Sequence, residues 1–163
     1  EYRRQRQMCI RDSNTVIGYL STASSATASN VITLGNSSIA TLRCQQTSIT
    51  ALSDQRDKSN IADIPVGLDF VKKLRPVTFT WDTRPEYDSE GEVIPNANDG
   101  KQEGGFIAQE LLAVEEEFDT RDWSRIVSDE NPDRLEAAPG KLIPILVKAI
   151  QELTARVEEL EGK

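Results

Sequence analysis

The C-terminal stretch constrains this chain most, because Ile143, Leu146, Ile150, Leu153, Val157 and Leu160 step by three and four without a miss. Apolar residues in that rhythm form a narrow stripe along one side of a helix, the seam of a coiled coil. The pattern predicts a helix over about 142–161. Pro139-Gly140 marks the break before it, and Pro144 falls in its first turn, where a missing N–H costs little. With Ile143 at heptad position a, Arg156 falls at g and Glu161 at the next e, a pair able to bridge neighbouring helices, so self-association is expected. The rule for β-branched a and Leu d positions favours two strands. Three heptads are too few for that rule to override the rest of a domain.

At the other end, Met8-Cys9-Ile10-Arg11-Asp12 is what a transposon-end sequencing adapter encodes when read in frame. Glu1 to Asp12 is therefore read as a sequencing-adapter artefact on a truncated read and set aside from fold reasoning. The competing reading is a natural basic arm that binds nucleic acid through Arg3, Arg4, Arg6 and Arg11. Taking four Arg and two acids from the 19 basic and 27 acidic residues leaves 15 and 25, a net charge of −10. An acidic body of this kind repels phosphate backbones, so no nucleic-acid partner is expected. No run approaches the roughly 18 apolar residues of a membrane span, and no signal-peptide order appears, so no membrane partner is expected either.

Cys44 stands alone once Cys9 is discounted, which leaves no intrachain disulfide. It reads as a small filler in a β-stack. The sequence contains no histidine. That removes Ser-His-Asp and Cys-His catalysis and the common His-containing zinc sites, and neither a cofactor nor a metal is implied. A serine nucleophile here needs a different base.

Composition changes at Ser53. From Ser13 to Leu52 the chain is rich in Ser, Thr, Ala and Asn, with Val31, Ile32, Leu34, Ile39, Leu42, Ile49 and Leu52 as sparse apolar positions. Ser38 to Leu42 recurs as Ser48 to Leu52, which suggests short strands stacked along a fibre axis. Forty such residues bury too little to offset their ordering entropy alone, so several chains wound together or a disordered linker are the two readings.

From Ser53 onward the sequence is that of a small globular domain. Ile61, Ile64, Leu68, Val71 and Leu74 predict a short helix with Pro65 in its first turn, ended by Arg75-Pro76. Val77 to Trp81 alternates as a strand. Asp82 to Gly104 reads as a long acidic loop or hairpin, a solvated charge run without EF-hand spacing. A second helix carries Leu111, Leu112, Val114 and Phe118, and Ser124 to Ser128 reads as a brief strand before a turn at Asn131-Pro132-Asp133. The class is α+β.

At the seam itself, Ser53 and Lys58 lie five apart, so they share neither a helix face nor a strand side. The chain must turn to bring them together. The alternative is that Ser53 merely caps a turn after it and that Lys58 is a solvated side chain.

Four blocks occur in order: Ser53-Asp54-x-Arg56-x-Lys58-x-Asn60-Ile61, then Leu74-x-Pro76-x-x-Phe79-x-Trp81, then Gly105 to Glu110, then Leu142-Ile143-Pro144 running into Ala149 to Leu153. Together they resemble the C-terminal intramolecular chaperone and auto-processing domain of phage tail spikes and tail fibres, the endosialidase-chaperone family. The resemblance implies a chaperone domain over Ser53 to Lys163, preceded over Ser13 to Leu52 by the β-stranded end of a trimeric fibre stalk such as a triple β-helix. It implies a homotrimer whose partners are its own copies and the upstream stalk. It implies a single-turnover serine peptidase that cuts itself between Leu52 and Ser53, with a dyad of Ser53 and Lys58 supported by Asp54, Arg56 and Asn60.

Under that reading Ser53 Oγ attacks the preceding carbonyl through a five-membered ring, and the amide becomes an ester that water hydrolyses. An unperturbed lysine amine has a pKa of about 10.4, so desolvation or neighbouring cations must help it accept a proton. Arg56 is a candidate neighbour for that effect, and Asp54 opposes it. The stalk would remain on the virion tail fibre, with the chaperone released in the host cytoplasm. The alternatives are a trimerisation domain that never cuts, and a receptor-binding fibre tip that uses the Asp82 to Gly104 loop.

Overall fold

Two triplets rich in β-branched residues, each followed by a glycine, build the first regular structure. In the computed structural model, which describes residues 13–23, 28–36, 39–46 and 48–162, Thr15–Ile17 (β1) and Ile32–Leu34 (β2) pair in parallel with Thr15 opposite Ile32. The two strands are therefore offset by 17 residues along the chain. Their flanks match too. Ser13 and Asn30 both take the left-handed conformation, and Gly18 and Gly35 both have positive φ. A Cβ on Gly18 would lie 3.0 Å from the Gly35 Cα, so the two turns stack only as glycines. Between the strands the buried Asn14 donates to the Ala28 carbonyl at 2.7 Å and accepts from the Val31 N–H at 2.9 Å.

The described residues divide into two units. The first holds the described residues of 13–42 together with 78–105 and 129–135. Besides β1 and β2 it contains a two-stranded sheet of Val77–Thr80 (β3) and Gln102–Gly105 (β6). It also contains an antiparallel hairpin of Glu86–Tyr87 (β4) and Val93–Ile94 (β5). The acidic stretch read as loop or hairpin is thus built around a hairpin. Its reversal uses Gly91 at φ +83° and the Asp88 carboxylate, which accepts the N–H groups of both Glu90 and Glu92. Phe79 and Trp81 meet edge to face at 5.1 Å, and Trp81 donates its indole N–H to Glu103.

The second unit holds the described residues of 43–77, 106–128 and 136–162. Its helices are Leu68–Lys73 (α1), Ala108–Glu117 (α2), Arg121–Ser124 (α3) and Ile143–Glu161 (α4), with Val127–Ser128 (β7) paired to Glu136–Ala137 (β8). Phe70, Leu111, Val114, Ile126, Val127, Leu142, Ile145 and Ala149 form its core. Phe70 is completely buried and meets Phe118 edge to face at 5.3 Å. The fold is a mixture of helices and small sheets ending in a long helix, and no described helix is long and apolar enough to cross a membrane.

One expectation is corrected. The helix expected from Ile61 begins only at Leu68, because Pro65 disfavours helical backbone at Ile64 and Gly67 interrupts the run. In the single chain the repeat ending at Leu42 and Leu52 forms no strand among its described residues and Cys44 is exposed, as a segment that buries little by itself would be. The described strands of this region lie earlier, where triplets rich in β-branched residues are followed by glycine. The reading of Glu1 to Asp12 lies outside the described residues.

The candidate self-processing site

Asp54 starts the local structure. Its carboxylate accepts the Arg56 N–H at 2.9 Å and so caps a 3-10 turn at Gln55–Asp57. The turn is the reversal that a five-residue spacing requires. After it, Lys58 is extended, and its Nζ donates to Ser53 Oγ at 2.6 Å and to the Ser53 carbonyl at 3.2 Å. Capping therefore falls to Asp54 rather than Ser53, which leaves the Ser53 hydroxyl to the lysine.

Arg56 turns its guanidinium back on Asp54, with Nε to Oδ1 at 3.0 Å and Nη2 to Oδ2 at 2.7 Å. The Arg56 side-chain hydrogen bond, then its backbone one, hold the Asp54 carboxyl below the ordinary aspartate value, and Asp54 in turn raises Arg56. The sequence reading set Arg56 against Lys58 as a neighbouring cation. In the structure its guanidinium is paired with Asp54 instead. Asn60 takes the left-handed conformation at φ +53°, which Asn tolerates better than most residues, and so redirects the chain after Lys58. Leu52 is 98% exposed, and Ser53 and Lys58 are exposed as well.

Two faces of α4 carry different side chains. Ile145 and Ala149 are buried within the second unit, whereas Ile143, Leu146, Ile150, Leu153, Val157 and Leu160 are all exposed. In a single chain the heptad stripe is thus an uncovered apolar row, the kind of surface that marks an interaction site.

Sequence reasoning missed one polar centre. Glu115 on α2 is fully buried and accepts from Ser124 Oγ, from the Ile126 N–H at 2.7 Å and from the Val127 N–H at 3.1 Å. Its signal was available only faintly, as a charged residue beside Val114 on the apolar side of a helix. A groove of about 590 Å³ is lined by Ile64, Trp123, Arg125, Lys141, Pro144 and Ile145 among others, and neither Ser53 nor Lys58 borders it.

Residues 53–120 match the family model described as the chaperone of endosialidase, a peptidase S74 family. The match begins at the serine where composition changes and takes in the first three of the four sequence blocks. The family's name marks a serine-peptidase-like domain, and its description points to a chaperone role in tail-fibre assembly. No curated protein matches the chain.

Proposed function

We propose that this chain, which residues 53–120 align with the endosialidase-chaperone family, is an intramolecular assembly chaperone that holds three copies of a phage tail fibre or spike in register and then cuts itself free between Leu52 and Ser53. The observation that carries this reading is the 2.6 Å contact between Lys58 Nζ and Ser53 Oγ. Segment 13–52 is the end of the stalk, and segment 53–163 is the part released. The exposed row from Ile143 to Leu160 is the seam that joins the copies.

In the cutting step a neutral Lys58 amine takes the Ser53 hydroxyl proton as Oγ attacks the Leu52 carbonyl carbon. The C–N bond breaks and the Ser53 nitrogen leaves with a proton, so the Leu52 acyl group now sits on Ser53 Oγ as an ester. Water then hydrolyses the ester to a Leu52 carboxylate and a free Ser53 hydroxyl. Lysine serves because its amine, unlike a guanidinium, loses its proton when its surroundings favour the neutral form. Since Leu52, Ser53 and Lys58 are exposed in one chain, this reading gives neighbouring copies the task of excluding water from the site.

The test is intact-mass measurement of the expressed full chain beside its Ser53→Ala variant. A fragment that begins at Ser53, found only with the unaltered serine, supports self-cleavage. An uncut, trimeric chain leaves an assembly domain without peptidase activity.

A further inference from the structure

Between the two members of the proposed dyad lie a carboxylate and a guanidinium that are bound to each other. Asp54 receives three hydrogen bonds, all from Arg56: the backbone N–H and Nε on Oδ1, and Nη2 on Oδ2. Both carboxylate oxygens are taken, in the fork geometry that arginine offers and lysine does not. The charged side chains of the segment are Asp54, Arg56, Asp57 and Lys58, and Asp57 is exposed. Among the described residues, the hydrogen bonds of Lys58 Nζ go to Ser53 alone, and none comes from another element.

From this geometry we infer that Arg56 is a positioning residue that sequesters the Asp54 carboxylate, so that the Lys58 amine is left to Ser53 instead of forming an ion pair with Asp54. The inference rests on the self-cleavage reading above and assigns within it a separate duty. Asp54 is needed as the cap that turns the chain, yet an unneutralised carboxylate four residues from the base favours the ammonium form, which cannot accept a proton. The fork keeps the cap and cancels its charge. Arg56 thus acts through Asp54, without touching the reacting atoms.

The measurement is the pH dependence of self-cleavage in the full chain. Freshly synthesised protein is shifted into buffers from about pH 6 to pH 10, a span that approaches the ordinary lysine titration from below, and the fragment beginning at Ser53 is followed by intact mass. Arg56→Met frees Asp54, so its profile is expected to move to higher pH by about half a unit or more, the scale of one exposed charge pair at contact distance. Asp54→Asn keeps a capping side chain but leaves the Arg56 charge unpaired, so its profile is expected to move to lower pH, opposite to Arg56→Met. The double variant Asp54→Asn, Arg56→Met should return to the unaltered position.

A rate for Arg56→Met that falls equally at every pH, with the profile unmoved, overturns the inference and leaves Arg56 a merely structural residue. Should Arg56→Met not be cut at any pH, Arg56→Lys decides. A single-point cation holds the carboxylate less completely, so an alkaline shift supports sequestration and an unmoved profile overturns it. An unaltered chain that is never cut, or a Ser53→Ala chain that is still cut, defeats the self-cleavage reading itself and the inference with it. Failure of the Arg56 arm alone leaves that reading intact.

Discussion

The Glu152 carboxylate on α4 accepts the Leu68 N–H at 2.8 Å, so the last helix caps the first across 84 residues of chain. α1 has only six residues and no capping side chain of its own, since Gly67 occupies the cap position. A Cβ at Gly67 would lie 2.6 Å from Glu152 Oε2, so a side chain there displaces the capping carboxylate. Glu152→Ala is expected to cost about 0.5–2 kcal/mol of stability. Gly67→Ala should cost a similar amount, because the carboxylate must swing away and the cap is lost. Urea denaturation in a Ser53→Ala background, where no cutting complicates the transition, checks both.

Glu115 is the most vulnerable polar residue of the second unit. Glu115→Ala would leave the Ser124 hydroxyl and the Ile126 and Val127 amides without their acceptor inside the core. At about 1–3 kcal/mol for each buried group left unpaired, a loss on the order of 3 kcal/mol or more is expected. Ser124→Ala removes one donor and leaves the two amides paired, so it should cost far less. Comparing the two denaturation midpoints tests whether the carboxylate or the hydroxyl matters.

Lys58→Arg separates a base from a mere cation. Arginine keeps the positive charge and can still donate to Ser53 Oγ, but it does not give up its proton in proteins. The variant is expected to fold and self-associate as before, and to show no fragment beginning at Ser53 by intact mass. Cutting by Lys58→Arg at the unaltered rate would sink the assignment of Lys58 as the base.

The two faces of α4 should respond differently to the same substitution. Ile150 is 63% exposed and Ala149 is 4% exposed. Ile150→Asp is expected to abolish self-association while leaving the circular-dichroism spectrum of the monomer native. Ala149→Asp places a charge in the core and should unfold the second unit, at a cost of several kcal/mol. Sedimentation velocity and circular dichroism on the pair make the distinction, and an Ile150→Asp chain that still self-associates would remove the seam from the account.

Titration of Asp54 tests the fork directly. Its carboxyl is held below 3.8, first by the Arg56 side chain and then by the Arg56 N–H. Because the folded value is depressed, the contribution to stability is complete above the unfolded value and is lost as pH falls through the lowered one. The pair is exposed, so added salt should shrink the effect. Carboxyl-carbon NMR of the Ser53→Ala chain should show Asp54 titrating below an ordinary aspartate, and Arg56→Met should move it back up.

Much of this protein is written in local pattern. The three-four rhythm from Ile143 to Leu160 specifies α4 because a 19-residue helix repeats its own geometry regardless of what surrounds it. The alternation from Val77 gives β3 for the same reason, and the change of composition at Ser53 coincides with the start of the family match. Asp54 two residues before Arg56 is likewise a local capping signal. Sequence overreached where period stood in for backbone preference: Ile61 and Ile64 keep the helical spacing, yet Pro65 and Gly67 delay α1 to Leu68.

What sequence could not supply was meeting across distance. The 17-residue stacking of β1 on β2 depends on the matched left-handed turns at Ser13 and Asn30 and on the close approach of Gly18 to Gly35, none of which is a property of either segment alone. Glu115 and Glu152 look like ordinary surface acids in the chain. Only tertiary structure decides that one is buried under two backbone amides and the other caps a helix 84 residues away, because a carboxylate's role is set by the donors that folding delivers to it. The same holds at Ser53. Spacing required a turn, and the capped 3-10 turn provides it, bringing the Lys58 amine to 2.6 Å from the hydroxyl.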